Sequence, residues 1–402
     1  MMKPIAALAN GAWLASSLPA WQRFHHALDH PEKEQSAVLQ RLLTKNAESA
    51  YGQAHGFANI RSYEQFRARV PLVEYEDLEP WISRIRRGQG AVLTGEPVTH
   101  LIPTSGSTAA RKLIPFTAGL QRQFNAAIGP WIVDLCREHP TVPLGPAYWS
   151  ISPSISASAD DDSIVPIGFD ADSAYLGGIR KHLVEATFAV PSSVRLVTDP
   201  NTFRYPTLLC LLRQPELRLI SVWHPSFLSL LLDALAGSWE ELVAEVASGE
   251  CRGSPTLVAR PQPERARQLR EIGYGDASWL WPRLRVVSCW ADAQAALACA
   301  DLQRRLPGVA FQSKGLLATE AFVSIPFRGF HPIALTSHFF EFLDEADEPH
   351  LAHELRSGEI YSVVVTTAGG LWRYRLGDLV EVDGYLDATP SLRFLGRGAS
   401  VS

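Results

Sequence analysis

The most informative segment for the fold is GLWRYRLGDLVEV at residues 370–382 of a chain of 402 residues. Two aromatic residues and a leucine alternate there with two arginines: Trp372, Tyr374 and Leu376 against Arg373 and Arg375. Side chains that alternate in this way point to opposite faces of a β-strand. Further strand-like runs follow Ser337, at 339–343, 360–366, 379–382 and 392–395. Together with 371–376, this series predicts an antiparallel meander or a small antiparallel β-barrel.

Gly377 and Asp378 interrupt the same segment. Glycine often marks a break in a strand, so the carboxylate of Asp378 is presented at a strand end. A carboxylate held there can accept two charge-assisted hydrogen bonds from neighbouring sugar hydroxyls. An amphipathic edge strand that ends in a turn aspartate shows the same pattern, so the residues alone leave both interpretations open.

The rest of the chain alternates helical and strand-like segments. Residues 32–48 carry apolar side chains at helical spacing, and 203–235 is another largely helical stretch, which Gly237 is predicted to end. Three β-like runs and one helix-like segment come next: 285–289, 309–312 and 321–325 for the runs and 292–306 for the helix. This alternation predicts an α/β sheet.

The polar loop at 104–112, Thr-Ser-Gly-Ser-Thr-Ala-Ala-Arg-Lys, is the first candidate site. Its glycine permits a tight turn in which backbone N–H groups can converge on an anion, while hydroxyls and cations add donors and charge. These features suit phosphate binding. The loop differs from a Walker A loop because Arg111 stands where that motif has its second glycine. A polar turn that leads into a strand is the alternative.

Glu320, in the segment GLLATE at 315–320, is the second candidate. It lies among small and apolar residues, and burial of its charge without a partner is unfavourable. A Mg²⁺ ion that also binds phosphates would be such a partner. A basic side chain would be another, so both interpretations stay open.

The composition excludes several classes of protein. With 37 Lys+Arg, 42 Asp+Glu, a net charge of −5 and 46% hydrophobic residues, the chain is typical of globular proteins and shows no basic stripe for nucleic acid. No apolar run reaches the ~18 residues that a membrane helix needs. Residues 5–20 are interrupted by polar side chains, so we expect no signal peptide. Five scattered cysteines without a CxxC pair predict neither disulfides nor a zinc site, and we expect a cytoplasmic protein.

The motifs, taken in order, resemble one family. They are PTSGSTAARKLIPFT from Pro103, WPRLRVVSCW from Trp281, KGLLATEAFVSIP from Lys314, SHFFEFL from Ser337, GLWRYRLGDLVEV from Gly370 and LRFLGR from Leu392. This set resembles the auxin-responsive (Gretchen Hagen family) acyl-acid amido synthetases, and within them the bacterial branch. These enzymes belong to the adenylate-forming superfamily of acyl-CoA synthetases, luciferases and adenylation domains.

The resemblance implies a two-step ligase that uses ATP and Mg²⁺. A small apolar or aromatic carboxylic acid would attack the α-phosphate of ATP, which releases pyrophosphate and leaves an acyl-adenylate. An amine, in this family usually an amino acid, would then displace AMP to form an amide. Two alternatives remain open: transfer to the thiol of coenzyme A or of a carrier protein, and a nucleotide-binding module without turnover.

The resemblance also assigns site residues by position. Those implied to bind ATP are Thr104, Ser105, Gly106, Ser107, Thr108, Ala318, Thr319, Asp378 and Arg397. Those implied to be catalytic are Lys112, Thr319 and Glu320, with Glu320 also at the Mg²⁺ ion. Candidates for the acid pocket are Phe124, Trp131, Trp149, Tyr175 and Trp290. The identities of the acid and the acceptor and the oligomeric state are not assigned.

The fold implied is the large N-terminal domain of an adenylate-forming enzyme, of the α/β class, over residues 1–396. Its expected parts are a mostly helical lead-in at 1–100, an α/β core at 101–335 and a β-rich, barrel-like part at 336–396, followed by a hinge at 397–402. Because the chain stops five residues after Arg397, we expect the small C-terminal capping domain to be absent from it.

Overall fold

The computed structural model describes residues 3–104, 112–150, 163–168, 177–196, 200–252, 257, 259–275 and 277–398. The chain divides into two compact units. The first comprises Met1–Ser16, Leu135–Ser156 and Asp170–Lys314 and is called the parallel-sheet unit. The second comprises Ser17–Asp134, Ala157–Phe169 and Gly315–Ser402 and is called the antiparallel-sheet unit. Helices and strands occur in both, which confirms the α/β fold class.

The described helices are α1 Lys3–Ala27, α2 Pro31–Asn46, α3 Ala50–Ala54, α4 Tyr63–Arg69, α5 Tyr75–Arg86, α6 Ala118–Glu138, α7 Gly178–Glu185, α8 Pro200–Leu212, α9 Pro225–Ser248, α10 Pro263–Ile272 and α11 Ala295–Arg305. The described strands are β1 His100–Pro103, β2 Leu113–Phe116, β3 Ala147–Trp149, β4 Leu219–Ser221, β5 Val286–Cys289, β6 Ala310–Ser313, β7 Phe339–Leu343, β8 Pro349–Leu351, β9 Ile360–Thr366, β10 Tyr374–Leu386 and β11 Thr389–Arg397. In this described part, no helix has the length and apolar character that a membrane span requires.

The parallel-sheet unit is built on β3, β4, β5 and β6, which pair in that order and run parallel. All residues of β4 and β5 are buried, as expected for short apolar strands with helices on both faces of a sheet. Trp281 anchors the core, because its indole N–H donates to the Leu211 carbonyl oxygen at 2.9 Å. The carboxyl ends of all four strands lie at one edge, which is where ligands bind in open α/β sheets.

The antiparallel-sheet unit contains the β1–β2 hairpin and a five-stranded sheet in the order β11-β10-β9-β7-β8. Its strand pairs are antiparallel, and its core is formed by buried side chains that include Phe66, Phe339, Val365 and Trp372. Within the described residues, the edge strands β8 and β11 are not paired with each other. The antiparallel pairing agrees with the prediction, but β9 pairs with β7 and not with β8, so the strand order departs from a simple meander.

Several predicted segments are confirmed, and 203–235 is largely helical as predicted, although it divides into two helices, α8 and α9, with β4 between them. The predicted helix end at Gly237 is wrong. Gly237 does not end α9, which continues to Ser248 and stops at Gly249 with φ +87°. A glycine inside a helix costs about 1 kcal/mol relative to alanine. The buried side chains of Trp239 and Leu242 continue the apolar face beyond it, and their packing offsets that cost.

Two strand predictions also need correction. Residues 321–325 form isolated bridges to Leu317 and Ile333 rather than a regular strand. The strand predicted at 371–376 begins only at Tyr374, and it continues through 379–382 as one strand, β10, whose pairing with β9 is interrupted between Arg375 and Leu379. A bulge lets a strand continue through such an interruption, so a glycine in a strand pattern need not end it.

Candidate functional site

Two strand ends hold the polar loop that the sequence singles out. β1 and β2 pair with Pro103 opposite Leu113, and the Thr104 N–H donates to the Lys112 carbonyl oxygen at 3.0 Å. Tyr75 fixes the second strand, since its hydroxyl accepts the Leu113 N–H at 2.8 Å and its ring centre lies 5.6 Å from Lys112 Nζ. Both ends of the loop are therefore anchored in the antiparallel-sheet unit.

Five of the predicted site residues lie outside the described residues. These are Ser105, Gly106, Ser107 and Thr108 of the loop, and Tyr175 of the acid pocket. Their roles remain predictions.

The Thr319–Glu320 segment forms a tight turn in the same unit. The Ala318 N–H donates to the Ala321 carbonyl oxygen at 2.9 Å, and Leu317 and Phe322 form an antiparallel bridge on either side of that pair. The backbone is thus held before and after the turn. Thr319 and Ala318 are half-buried at its tip, and Glu320 is buried.

The side chain of Glu320 is almost completely shielded from solvent, because only 6% of the residue's surface is exposed. Burial raises its pKa, because the charged form loses its hydration, while the positive charges of Arg397 and Lys112 act in the opposite direction. Burial raises the pKa of Tyr374 as well, and Glu320 adds to that shift. The turn therefore brings Glu320 close enough to Lys112, Arg397 and Tyr374 to interact with all three.

Asp378 is positioned by the irregularity of β10. Gly377 before it has φ +80°, a conformation that glycine adopts without strain, and Asp378 itself lies opposite Arg397 of β11. Arg397 Nε lies 3.6 Å from Asp378 Oδ1, and the Gly398 N–H donates to the Gly377 carbonyl oxygen at 2.9 Å. The predicted ATP-binding pair Asp378 and Arg397 is thus brought together by strand register.

The charge on Asp378 is poorly compensated. Burial raises its pKa to about 6, and Glu320 contributes in the same direction, while Arg397 opposes the shift. The side chain of Arg397 is 65% exposed, so solvent weakens its effect on the buried carboxyl group. Two carboxyl groups, Glu320 and Asp378, therefore lie near each other in a site where burial raises the pKa of both.

The predicted acid-pocket residues fall in both units. In the antiparallel-sheet unit, Phe124 and Trp131 of α6 are buried, and Phe124 packs against Phe322 with ring centres 4.9 Å apart. In the parallel-sheet unit, Trp149 ends β3 and Trp290 directly follows β5 with 38% of its surface exposed. Burial of this kind equally suits core packing, so a role of these side chains in binding an acid remains a prediction.

Sequence reasoning missed Lys314, which directly follows β6 in the parallel-sheet unit. It is buried, its Nζ donates to Ser221 Oγ at 2.7 Å, and the Trp223 ring centre lies 5.5 Å away. Burial lowers its pKa to about 7. A lysine placed immediately after a strand of a parallel sheet was the available signal, because that edge is where ligands bind in such sheets.

The described residues of this site could bind Mg²⁺ only together with a phosphate-bearing ligand. No group of three or more His, Cys, Asp or Glu side chains that could hold a metal occurs in the described part of the chain. Mg²⁺ is usually bound by one or two carboxylates, waters and the phosphates of a substrate rather than by a complete protein cage. The buried Glu320, whose pKa is raised by burial, fits that pattern.

Comparison with known proteins gives the family. The model of the GH3 family N-terminal domain matches residues 20–310, and the model of the GH3 family central domain matches residues 331–397. A probable indole-3-acetic acid-amido synthetase GH3.12 from Oryza sativa subsp. japonica is 27% identical over 419 residues, which cover 90% of this chain and 68% of that protein. The indole-3-acetic acid-amido synthetase GH3.3 from Arabidopsis thaliana is 23% identical, with 90% and 67% covered.

A solved structure shows the same fold. The AtGH3.15 acyl acid amido synthetase in complex with 2,4-DB matches with a TM-score of 0.83 at 20% identity, over 97% of this chain and 72% of that one. The predicted resemblance is confirmed at the level of the family, whereas membership of its bacterial branch stays a prediction. Because the two family models together span most of the sequence, this chain belongs to the GH3 family.

Proposed function

We propose that this protein uses ATP to adenylate a small apolar or aromatic carboxylic acid and then transfers the acyl group to an amine, in the first place an amino acid. The observation that carries the proposal is the grouping of Glu320, Asp378, Arg397 and Lys112 at one place in the antiparallel-sheet unit. The names of the related proteins, amido synthetases of indole-3-acetic acid, support the type of reaction and the acid class.

In the first step, a carboxylate oxygen of the acid forms a bond to the α-phosphorus of ATP while the bond to the bridging oxygen of pyrophosphate breaks. No nucleophile of the protein is needed, so the catalytic task is to align two anions and to offset their charge. Lys112 and the loop that begins at Thr104 would hold the phosphates, with Thr319 donating from the turn. Asp378 would accept hydrogen bonds from the ribose hydroxyls, and Arg397 lies beside it.

Mg²⁺ would be held by Glu320 and by phosphate oxygens of ATP. The ion supplies positive charge to the phosphates when it is bound. Within the chain, Glu320 must be ionised to bind it, and a cation beside this carboxyl group lowers the pKa that burial has raised.

In the second step, the nitrogen lone pair of the amine attacks the acyl carbonyl carbon of the adenylate. The bond from that carbon to the AMP phosphate oxygen breaks, the amide forms, and the amine nitrogen loses a proton to water. Transfer to a thiol would use the same adenylate. We propose the amide because the relatives named above are amido synthetases.

We also propose a cytoplasmic location. All five cysteines are free, and Cys210, Cys251, Cys289 and Cys299 among them are buried, as suits a reducing compartment.

The test is ATP–pyrophosphate exchange by the 402-residue chain, with Mg²⁺ and a panel of aryl, indolyl and fatty acids. We expect exchange that depends on the acid and on Mg²⁺, and mass spectrometry with an amino-acid mixture should then show an amide. ATP binding without exchange for any acid would contradict adenylation and favour the nucleotide-binding alternative. A thioester formed with coenzyme A, without an amide, would contradict the proposed acceptor.

A further inference from the structure

A cavity of about 280 Å³ opens in the antiparallel-sheet unit. Its wall includes Arg23 of α1, Arg41 and Lys45 of α2, and Arg122 of α6, with Glu96 as the acidic side chain among the lining residues. Glu320, Asp378 and Lys112 do not line it. The cavity is therefore a separate feature from the candidate nucleotide site.

The cations of this cavity outnumber the carboxylates that reach them. Glu96 forms ion pairs with Arg122 and, at 3.9 Å, with Lys45, and it also accepts the Gly119 N–H. Glu34 of α2 pairs with Arg23. One carboxylate is thus shared by Arg122 and Lys45, so positive charge remains in excess there.

Arg41 stands beside another cation. Partial burial of its side chain lowers its pKa, the charge of Arg23 lowers it further, and Glu34 opposes the shift. The two guanidinium groups are therefore close enough to repel each other. An anion bound between them would relieve that repulsion, which makes this part of the wall a good place for one.

The floor of the cavity contains an amide whose orientation is fixed. Gln123 Oε1 accepts the Ala368 N–H at 2.7 Å and lies 3.1 Å from His338 Nδ1. Since His338 Nε2 accepts the Phe322 N–H at 3.3 Å, the ring proton must be on Nδ1, which donates to Gln123. Burial lowers the pKa of His338 to about 3, so the ring stays neutral.

This arrangement determines what Gln123 offers to a ligand. Its oxygen is turned toward Ala368 and His338, so the NH₂ group is the polar part left for the cavity that the side chain lines. Amide NH₂ groups only donate hydrogen bonds. A donor at the floor and guanidinium groups at the wall are both complementary to an anion.

We propose that this cavity binds a compact phosphate-bearing anion, with Arg41 and Gln123 as its principal ligands and Arg23 and Lys45 beside them. Planar guanidinium groups pair with phosphate oxygens through two parallel hydrogen bonds, and a cavity lined by cations concentrates such anions. The volume suits a small ion such as inorganic pyrophosphate or a phosphate monoester rather than a whole nucleotide.

The test is calorimetric titration of the full chain with inorganic pyrophosphate in low salt, with the nucleotide site first saturated by a non-hydrolysable ATP analogue. We expect binding of one equivalent. Arg41→Gln should weaken it at least tenfold, whereas Lys33→Gln, which removes an exposed charge from the same helix, should change it less than twofold. Gln123→Glu keeps the oxygen acceptor and replaces the donor by a charge, so it should also weaken binding at least tenfold.

Three results would overturn the proposal. The first is no pyrophosphate binding once the ATP analogue is present. The second is equal effects of Arg41→Gln and Lys33→Gln, which would indicate a diffuse charge effect and no defined site. The third is citrate binding as tightly as pyrophosphate, which would assign the cavity to carboxylates. If Gln123→Glu fails to fold, Arg41→Gln alone gives the answer, because Arg41 is exposed and its replacement leaves the core intact.

Discussion

Two buried glutamates of the antiparallel-sheet unit, Glu341 and Glu320, have opposite surroundings. Glu341 Oε1 accepts hydrogen bonds from Arg373 Nη2 at 2.7 Å and from the Tyr63 hydroxyl at 2.8 Å, and Arg373 Nε lies 3.0 Å from Oε2. For Glu320, neither Arg397 nor Lys112 comes within ion-pair distance in the described part of the chain. These cations only moderate the rise in its pKa that burial causes.

This difference in surroundings distinguishes a buried charge whose partners are supplied by the protein from a buried charge that a ligand could pair with. Arg373 also donates from Nη1 to the Val70 carbonyl oxygen at 2.9 Å, so the pair with Glu341 is saturated within the protein. Asp378, only five positions later in the same segment, has one exposed arginine at 3.6 Å and a raised pKa. Buried charges that lack close partners are candidates for functional sites, because a ligand can supply what the protein does not.

The largest effect is expected from breaking the saturated pair. Arg373→Leu leaves Glu341 buried without its partner, and we expect the free energy of unfolding to fall by about 3–5 kcal/mol. The matched control is Arg375→Leu two residues later, which removes a pair with Asp347 near the surface and should cost under about 1 kcal/mol. Urea unfolding measures both, and equal losses would contradict the comparison.

A smaller effect of opposite sign is expected at Asp378. Its pKa in the folded protein, about 6, lies above the ordinary value of about 3.9, so the folded state favours the protonated form. The ionised carboxyl group therefore destabilises the fold increasingly as the pH rises through that interval. Asp378→Asn should raise the free energy of unfolding relative to the parent chain by about 2 kcal/mol at pH 8 and by less at pH 5.

The control for this prediction is Asp383→Asn, an exposed position on the same strand. It should leave the stability unchanged at both pH values. If Asp378→Asn destabilises the protein at pH 8, then Asp378 is a structural charge like Glu341, and the contrast between the two fails.

The same substitution should weaken nucleotide binding. The amide side chain introduced by Asp378→Asn would offer the ribose hydroxyls one acceptor without charge, so we expect the Kd for ATP to rise about tenfold, equivalent to about 1.4 kcal/mol. In the parent chain, affinity should also decline as the pH is lowered through about 6, because the carboxyl group becomes protonated. Calorimetric titration checks both, and an unchanged affinity in the variant would exclude Asp378 from the ribose role.

The smallest effect concerns the backbone that positions Asp378. Gly377 has φ +80° and a Cβ there would meet open space, so Gly377→Ala tests conformational strain alone. We expect a loss of about 1 kcal/mol. Gly237→Ala, in the interior of α9 and equally open, should instead stabilise by about 0.5–1 kcal/mol. Thermal unfolding distinguishes the signs, and two losses of equal size would contradict the conformational argument.

The sequence predicted the parts of the fold that depend on local patterns. The apolar spacing in 32–48 predicted α2, and the strand-like runs at 339–343 and 360–366 predicted β7 and β9 with their bounds unchanged. Gly237 misled the prediction because tertiary packing, which local pattern does not contain, decides whether a glycine ends a helix. The break between α8 and α9 was missed for a related reason, since the short apolar run of β4 resembles a piece of helix.

The candidate site could be predicted as a set of residues but not as an arrangement. Motif order indicated Glu320, Asp378 and Arg397, whereas their mutual proximity depends on the register of β10 with β11 and on the Gly377 bulge. Alternation placed Arg373 on the polar face together with Arg375, yet Arg373 is buried, because Glu341 from a distant strand supplies its partner. Long-range pairs of this kind leave no signal in the spacing of one segment.

We distinguish Glu341, a buried charge that stabilises the fold, from Glu320, a buried charge that serves a ligand. The most direct test of this distinction compares Glu320→Gln with Glu341→Gln by urea unfolding and by ATP–pyrophosphate exchange. Glu320→Gln should keep or raise the free energy of unfolding and lose at least about 100-fold in exchange, because the chemistry loses a needed charge while the fold loses an unfavourable one. Glu341→Gln should lose about 3 kcal/mol of stability and retain exchange while folded. A destabilised Glu320→Gln variant with normal exchange would contradict that distinction.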